Sequence, residues 1–181
     1  KKEKTIEADG ISVKADNAYN GSAKDSDSDS TAKTVAVGFA AGAAKFAGSG
    51  SVTVNVISQK ADASISEGNY QAGNQGVDVE AKNTARLFGL AGGLGINLGG
   101  TGIGAAADVQ TYKGHTYASI EDGAKLSKAS SVRVNAESEE DLTSVAATIA
   151  TGDTFAGAGA AGLHVISTDT KAYIGNQEEK D

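Results

Sequence analysis

The chain contains no cysteine, proline, methionine or tryptophan. Without cysteine it has no disulfide, no thiolate ligand for a metal and no cysteine nucleophile. Without proline, nothing in the sequence interrupts a long ladder of backbone hydrogen bonds. The lack of cysteine also suits a protein that is exported unfolded through an oxidising compartment. Because no starting methionine is present and the chain begins in the middle of a pattern, we expect a piece of a longer polypeptide.

Large apolar side chains and clustered positive charges are also scarce. Leu, Ile, Val and Phe total 34 of the 181 residues, whereas Gly and Ala total 56. A thick core needs large side chains, so this composition suits a thin core in which two facing strands nearly touch. The net charge is −7, and no cluster of Lys or Arg is present to neutralise phosphates. We therefore expect no nucleic-acid partner.

One pattern of elements occurs three times along the chain. A Gly/Ala-rich run leads into an alternating Val/Ile patch, then an Ala-x-Ile element, then a turn and a second alternating patch. Ile65, Ile120 and Ile174 are 55 and 54 residues apart, and Val79 and Val134 are 55 apart. A period near 55 residues, with small variations in loop length, is typical of a repeat array.

The repeated elements have the composition of strands and turns. They are rich in Val and Ile, alternate with polar residues, and are separated by Gly, Asn, Asp and Ser. A helix over 87–107 would contain eight Gly, each costing about 1 kcal/mol relative to Ala. We therefore predict an all-β chain, a parallel β-helix (β-solenoid) of about three repeats. At about 20 residues per winding, each period would make two to three windings.

The predicted β-helix forms a single segment over residues 1–181. It comprises a partial repeat at 1–33, repeats at 34–86 and 87–144, and a partial repeat at 145–181. Equivalent side chains of successive repeats are expected to stack, with Gly at turns of positive φ. The predicted columns are Ile65/Ile120/Ile174, Ala63/Ala118/Ala172, Val54/Ala107/Leu163 and Val13/Val79/Val134. The same spacing places His164 with Asn55 and Asp108, and assigns two extra residues of the middle copy to 110–116.

Two motifs resemble ligand-binding sequences. Residues 157–162 read G-x-G-x-x-G, but a dinucleotide site also needs a βαβ unit, and the run lies in the Gly/Ala part of the third copy. Asp25, Asp27 and Asp29 have the spacing of an EF-hand start, although Ser30 and Ala36 stand where Gly and Glu are required. We predict a solvated loop over 16–33, with loose calcium binding as the open alternative.

No combination of residues indicates an active site. His115 and His164 are the only histidines, no spacing of Ser, acid and His indicates a triad, and His164 is expected to point outward from a strand. A polysaccharide lyase would need a groove of paired carboxylates and basic residues, whereas one predicted loop is merely acidic. That loop contains Glu137, Glu139, Glu140 and Asp141. We therefore predict no catalytic, cofactor-binding or metal-binding residues.

Two features bear on partners. Residues 87–107 carry no charge until Asp108 and include a G-x-x-x-G, as in a membrane span, but their Gly content favours a tightly packed run inside the solenoid. The expected display points for binding are the loop at 16–33 and the insertion at 112–115. The tyrosines are candidate anchors for a protein or glycan partner. They are Tyr19, Tyr70, Tyr112, Tyr117 and Tyr173.

The order of elements resembles the repeated passenger regions of large type V-secreted surface proteins of Gram-negative bacteria. These include filamentous-haemagglutinin-like adhesins, autotransporters and leukotoxin-like proteins. The segments that carry the resemblance are 51–57, 63–65, 77–81 and 165–175. It implies a parallel β-helix outside the outer membrane, without catalytic residues, that contacts host cells or other bacteria. A non-enzymatic adhesive segment is the first hypothesis, and a leukotoxin or haemolysin segment acting on host membranes is the alternative.

Overall fold

The computed structural model describes residues 4–19 and 32–175. Within these residues the chain forms eight strands and turns, so the all-β prediction is confirmed. The strands are β1 (Thr5–Tyr19), β2 (Ala32–Gly42), β3 (Phe46–Ile65), β4 (Gly68–Asn97), β5 (Thr101–Ile120), β6 (Ala124–Ser127), β7 (Val132–Thr151) and β8 (Phe155–Ile174).

The strands form two parallel sheets that pack face to face. In sheet A, β4 is central, with β1 and β2 end to end along one edge and β6 and β7 end to end along the other. Sheet B has the order β3–β5–β8. From β2 onward the chain passes between the sheets at each short turn, so every long strand of sheet A is followed by one of sheet B.

Paired strands are one sequence period apart. Ile65 pairs with Ile120, and Ile120 pairs with Ile174. One period therefore supplies one layer to each sheet, and the prediction of two to three windings per period is wrong, because strands of 20 and 30 residues fill the period. Three predicted columns are confirmed: Ile65/Ile120/Ile174, Ala63/Ala118/Ala172 and Val13/Val79/Val134.

The fourth predicted column is wrong. Val54 pairs with Val109 rather than Ala107, and Val109 pairs with Leu163. Strands β3 and β5 pair without a shift of register, so there is no two-residue insertion at 110–116.

The single-residue difference between the two spacings falls in a turn instead. Four residues separate Ile96 from Thr101, whereas three separate their partners Thr151 and Phe155. A turn absorbs such a difference easily, because a shift within a strand would move its inward side chains to the outer face.

The first copy contains an insertion relative to the second. Tyr19 pairs with Ala85 and Ala32 pairs with Leu87, so a single residue of β4 matches the whole of 20–31. This confirms that the Asp/Ser segment accounts for the longer first interval. The loop predicted at 16–33 is too long, because 16–19 belong to β1 and 32–33 to β2. The Asp25–Asp27–Asp29 motif lies outside the described residues.

The two ends of the long strands differ in what they bury, and we name them separately. The blade consists of the strand segments that meet at the turns 43–45, 98–100 and 152–154, which form its tip. It comprises 32–42, 46–56, 87–97, 101–111, 142–151 and 155–165. The base is the remainder. Its interior is an apolar core that includes Ile65, Val77, Val79 and Ile120. At the end of the base, Gly123 (φ 82°) and Gly175 (φ 93°) follow β5 and β8 in the positive-φ backbone predicted for Gly.

Inside the blade the two sheets approach to backbone contact. A Cβ on Gly93 would lie 2.6 Å from the carbonyl oxygen of Ala105 in the opposite sheet. A Cβ on Gly95 would collide with the carbonyl oxygen of Ile103 in the same way. Only Gly fits at these positions, which confirms the thin core that the composition suggests.

Candidate functional site

A polar cluster around Asp108 lies between the sheets, where the blade meets the base. Asp108 is on β5, between Thr53 of β3 and Gly162 of β8 in the register. Its alternation along β5 directs the side chain inward, and it is fully buried. Gly89 faces it from β4, where any Cβ would collide with the carboxylate. The missing side chain at Gly89 therefore makes the space that the carboxylate occupies.

Three side chains donate hydrogen bonds to the Asp108 carboxylate. The Thr53 hydroxyl donates to Oδ1, and the Ser144 hydroxyl and Gln110 Nε2 (3.0 Å) donate to Oδ2. Burial is the largest single influence and acts to raise the pKa of Asp108. The hydrogen bonds from Ser144, Thr53 and Gln110 together outweigh burial, so the pKa of Asp108 is lowered and the carboxylate is charged at neutral pH.

His164 joins this cluster through Ser144. Its Nε2 lies 2.7 Å from Ser144 Oγ. Because the single hydroxyl proton of Ser144 goes to Asp108, the histidine must donate through Nε2, a tautomer assigned from the network. In a catalytic triad the histidine stands between serine and acid and removes the serine proton. Here serine stands in the middle, so the arrangement links sheet A to sheet B and does not activate Ser144.

The cluster corrects two predictions about His164. It pairs with Gln110, which pairs with Asn55, whereas Asp108 pairs with Gly162, so only the Asn55 part of the predicted slot is right. The ring also points inward to Ser144 rather than outward, although β8 lies at the sheet edge and leaves it exposed. The error has one source, the non-existent insertion at 110–116, which misplaced Asp108 by two residues.

A second interior network contains Tyr112. The phenol is fully buried and donates to Gln59 Oε1 at 3.0 Å. Nearby, Asn83 Nδ2 donates to the His115 carbonyl and to the Thr116 hydroxyl, again across the two sheets. Burial, the largest influence, raises the pKa of Tyr112. Tyr112 is therefore a structural residue, and the prediction that 112–115 is a display point is wrong.

The base carries a polar and aromatic patch on the outer face of sheet B. The Tyr117 hydroxyl donates to Asp169, and Lys171 Nζ donates to the Tyr117 oxygen at 3.2 Å. The His115 ring packs on the Tyr117 ring, with centroids 4.0 Å apart. The hydrogen bond from Tyr117 is the main cause of a lowered pKa for Asp169. These four residues, the Tyr117 patch, bring together two sequence-predicted candidates, Tyr117 and His115.

The outer face of sheet A in the base is covered by ion pairs between neighbouring strands. Lys82 Nζ lies 2.9 Å from a carboxylate oxygen of Glu137, and Lys14 Nζ lies 2.7 Å from one of Glu80. The acidic run Glu137, Glu139, Glu140 and Asp141 lies within β7, not in a loop. Glu137 and Glu139 contact Lys82 and Arg86, so these residues do not form a groove of free carboxylates.

The blade has the opposite surface, because its outer faces are apolar on both sheets. Val37 is 69% exposed and Ile149 is 62% exposed, in the outer strands of sheet A on either side of β4. The expectation that 87–107 lies packed inside is therefore only half right, since its Gly face packs inside and its apolar face lies outside. Exposed apolar residues of the blade are Val35, Val37, Phe39, Val145 and Ile149 on sheet A, and Phe46, Val52, Val54, Val56, Ile103, Phe155, Leu163 and Val165 on sheet B.

The remaining predicted features are plain strand or lie apart. Residues 157–162 belong to the extended strand β8, without the helix that a dinucleotide site requires. Tyr70 donates to the Ser66 carbonyl beside the turn between β3 and β4. Within residues 4–19 and 32–175, no group of three or more His, Cys, Asp or Glu side chains is placed to hold a metal ion. The same residues contain no helix that is long and apolar enough to cross a membrane.

Comparison with known protein families, curated proteins and solved structures finds no match to this chain. The chemistry of its surfaces and interior is therefore the basis for assigning a role.

Proposed function

We propose that the chain is a β-solenoid segment of a secreted bacterial surface protein, with a structural and adhesive role and no catalytic one. The observation that carries this proposal is the in-register pairing of residues 55 and 54 apart through three successive layers. Such stacking extends a protein by one layer per repeat, because each layer presents to the next the same edge that it received. The proposal agrees with the resemblance to type V-secreted passenger regions, which places the segment outside the cell.

The interior of the molecule supports a non-enzymatic role. The Asp108 cluster has serine between histidine and acid, and its hydrogen bonds run between the sheets rather than towards a cavity. Buried polar networks of this kind are costly unless every group is paired, and they favour one arrangement of strands over others. We assign the cluster the role of holding sheet A and sheet B in register.

The Tyr117 patch is the proposed contact site for a protein or glycan on a host or bacterial cell. It combines aromatic rings with groups of both charges on an outward face, and tyrosine is enriched among residues that dominate binding energy. In a longer solenoid its column continues along the same face, so that weak contacts would add up.

Binding of the labelled chain to cultured host cells and to intact bacteria tests this proposal. We expect saturable binding to at least one of them, and a decrease in affinity of about tenfold when Tyr117→Ala is combined with His115→Ala. Lys82→Ala, on the outer face of the other sheet, is the matched control and should leave the affinity unchanged. Absence of saturable binding, or equal loss in the control, would contradict the proposal.

A segment of a leukotoxin or haemolysin acting on host membranes is the second candidate function. The apolar outer faces of the blade favour it, because soluble surfaces seldom expose so many large apolar side chains together. Release of a trapped dye from liposomes separates the two candidates. A toxin segment is expected to cause leakage, whereas a purely adhesive segment leaves the vesicles sealed.

A further inference from the structure

The tip of the blade presents large apolar side chains from all three layers. Leu98, in the turn between β4 and β5, is 79% exposed. Phe46 and Phe155 lie on either side of Thr101 in the register of sheet B and are both exposed. Ile103 is 37% exposed although it lies in the central strand, because its neighbours in the register are Gly48 and Gly157. The apolar surface thus continues from the outer faces around the end of the molecule.

The tip is held rigidly in this arrangement. The Asn97 side chain is buried, donates to the Thr101 carbonyl at 3.0 Å and accepts from Gly99 N at 2.9 Å, which closes the turn around Leu98. The backbone of Leu98 in turn donates to the Gly42 carbonyl in the next layer. Because the turns are stacked in this way, Leu98 is exposed without the entropic cost of ordering a loose loop on binding.

The charges of the blade are consistent with contact with an uncharged medium. Among residues 87–111 the only charged side chain is Asp108, and it is buried far from the outer faces. The tip turns carry one cation and one anion, Lys45 and Asp153, so the tip has no net charge from these groups. A partner recognised by charge is therefore not indicated.

The distribution of apolar residues favours a lipid surface over a second copy of the chain. A dimer would cover one face of the blade and leave the opposite face and the tip in water. Only a medium that surrounds the blade can cover both faces and the tip together. The number of exposed large side chains exceeds what isolated surface residues normally contribute.

The sheet edges limit how deep the blade can enter. No strand pairs with the outer edges of β2, β3, β7 and β8 within the described part of the chain. Backbone groups without partners are not tolerated in hydrocarbon, so the blade cannot span a bilayer in this state. Apolar faces of interfacial segments enter about 5–10 Å into the boundary between headgroups and acyl chains. At about 3.3 Å per residue, this depth takes up two to three residues of each strand.

We propose that the tip of the blade is a lipid-docking surface, with Leu98, Phe46 and Phe155 entering the headgroup–acyl boundary of a bilayer. Ile103 follows them at the same end of sheet B. The proposal requires neither the adhesive nor the toxin function, because docking to this depth needs no receptor and opens no pore.

A single-tryptophan experiment tests the proposal directly, since the chain has no tryptophan of its own. Leu98→Trp reports the tip, and Ile6→Trp, at an exposed site near the opposite end, is the matched control. On addition of phosphatidylcholine vesicles we expect the emission of the Leu98→Trp variant to shift to shorter wavelength. Bromine atoms placed high on the acyl chains should quench it more than bromine atoms near the chain ends. The Ile6→Trp emission should not change.

Vesicle flotation measures the contribution of the anchors. Leu98→Asp combined with Phe46→Ser and Phe155→Ser should lower the lipid partition coefficient by about tenfold or more, whereas Ile6→Asp should leave it unchanged. Retention of the β-type circular dichroism spectrum shows that the variants are folded. The proposal is overturned if the unmodified chain does not float with vesicles or if both tryptophan reporters respond equally. It is also overturned if the tip reporter shifts without lipid as the chain self-associates, which would assign the surface to a second copy.

Discussion

The base and the blade lie on the same strands, yet they are built on opposite patterns. In the base, Val77 and Val79 point inward and charged residues such as Lys82 and Glu80 point outward. In the blade, the inward positions of the same strand are Gly and Ala, and large apolar residues occupy the outward ones. The base is stabilised by side chains removed from water, and the blade by two backbones in direct contact.

This difference shows that a strand's apolar face is not always its buried face. Where one face carries only Gly and Ala, two sheets can approach until the carbonyl groups of one meet the Cα atoms of the other. A larger side chain at any of these positions would hold the sheets apart along the whole blade. The apolar side chains are therefore left outside, where the tip and both faces expose them.

The largest effect is expected from removing an apolar side chain of the base. Ile120→Ala, at a site only 2% exposed, should lower the free energy of unfolding by about 3 kcal/mol. The matched control is Ile149→Ala on the outer face of the blade, which should change it by less than about 0.5 kcal/mol. Urea unfolding measures both, and similar losses in the two variants would contradict the division into base and blade.

The blade should respond to added rather than removed volume. Gly95→Ala places a methyl group against the Ile103 carbonyl and should cost about 2 kcal/mol, because the facing backbone must move. Gly92 lies three residues earlier on the outer face, where an added Cβ would meet the Val37 methyl groups at 3.5–3.6 Å. Gly92→Ala should therefore change the free energy of unfolding by less than about 0.5 kcal/mol. If urea unfolding found Gly95→Ala as stable as Gly92→Ala, the sheets would not be in backbone contact.

The junction of base and blade should depend on pH through Asp108. Since the pKa of Asp108 is lowered on folding, its stabilisation is fully present above the unfolded pKa, about 3.9, and is lost as pH falls through the folded pKa. Asp108→Asn should cost about 2 kcal/mol at neutral pH, and the difference from the native chain should shrink as pH falls below 4. A difference that stays constant from pH 7 to pH 2 would show that the charge of Asp108 does not stabilise the junction.

The smallest effect is expected on the charged outer face of the base. Glu137→Gln removes the ion pair with Lys82, yet surface pairs contribute little, so the free energy of unfolding should change by less than about 0.5 kcal/mol. The hydrogen bond from Lys82 to Glu137 is also the main cause of the raised pKa of Lys82, which should fall in the variant. Both quantities are accessible by urea unfolding and by NMR titration of the lysine. A loss as large as that of Ile120→Ala would mean that surface charge, not the apolar interior, stabilises the base.

Spacing between identical residues predicted the register wherever large β-branched residues recur. Ile65, Ile120 and Ile174 are such a case, because few registers bring three Ile together. In the Gly/Ala runs the spacing carried less information, and Val54 was matched with Ala107 instead of Val109. The same two-residue error hid the Asp108 cluster. A single acidic residue at an inward position opposite a Gly was the signal that a correct register would have revealed.

The amino-acid sequence by itself determined that the chain is all-β, that its strands repeat at a period near 55 residues, and which side chains share a face. These properties follow from strand propensity, alternation and spacing, which are local or periodic. Only the tertiary structure decided that one period forms one layer and that the apolar face of the blade lies outside. The physical reason is that a period of two distinguishes two faces of a strand without saying which one meets the other sheet. That choice depends on how closely the two backbones can approach, and in the blade only the Gly face of Gly93 and Gly95 allows contact.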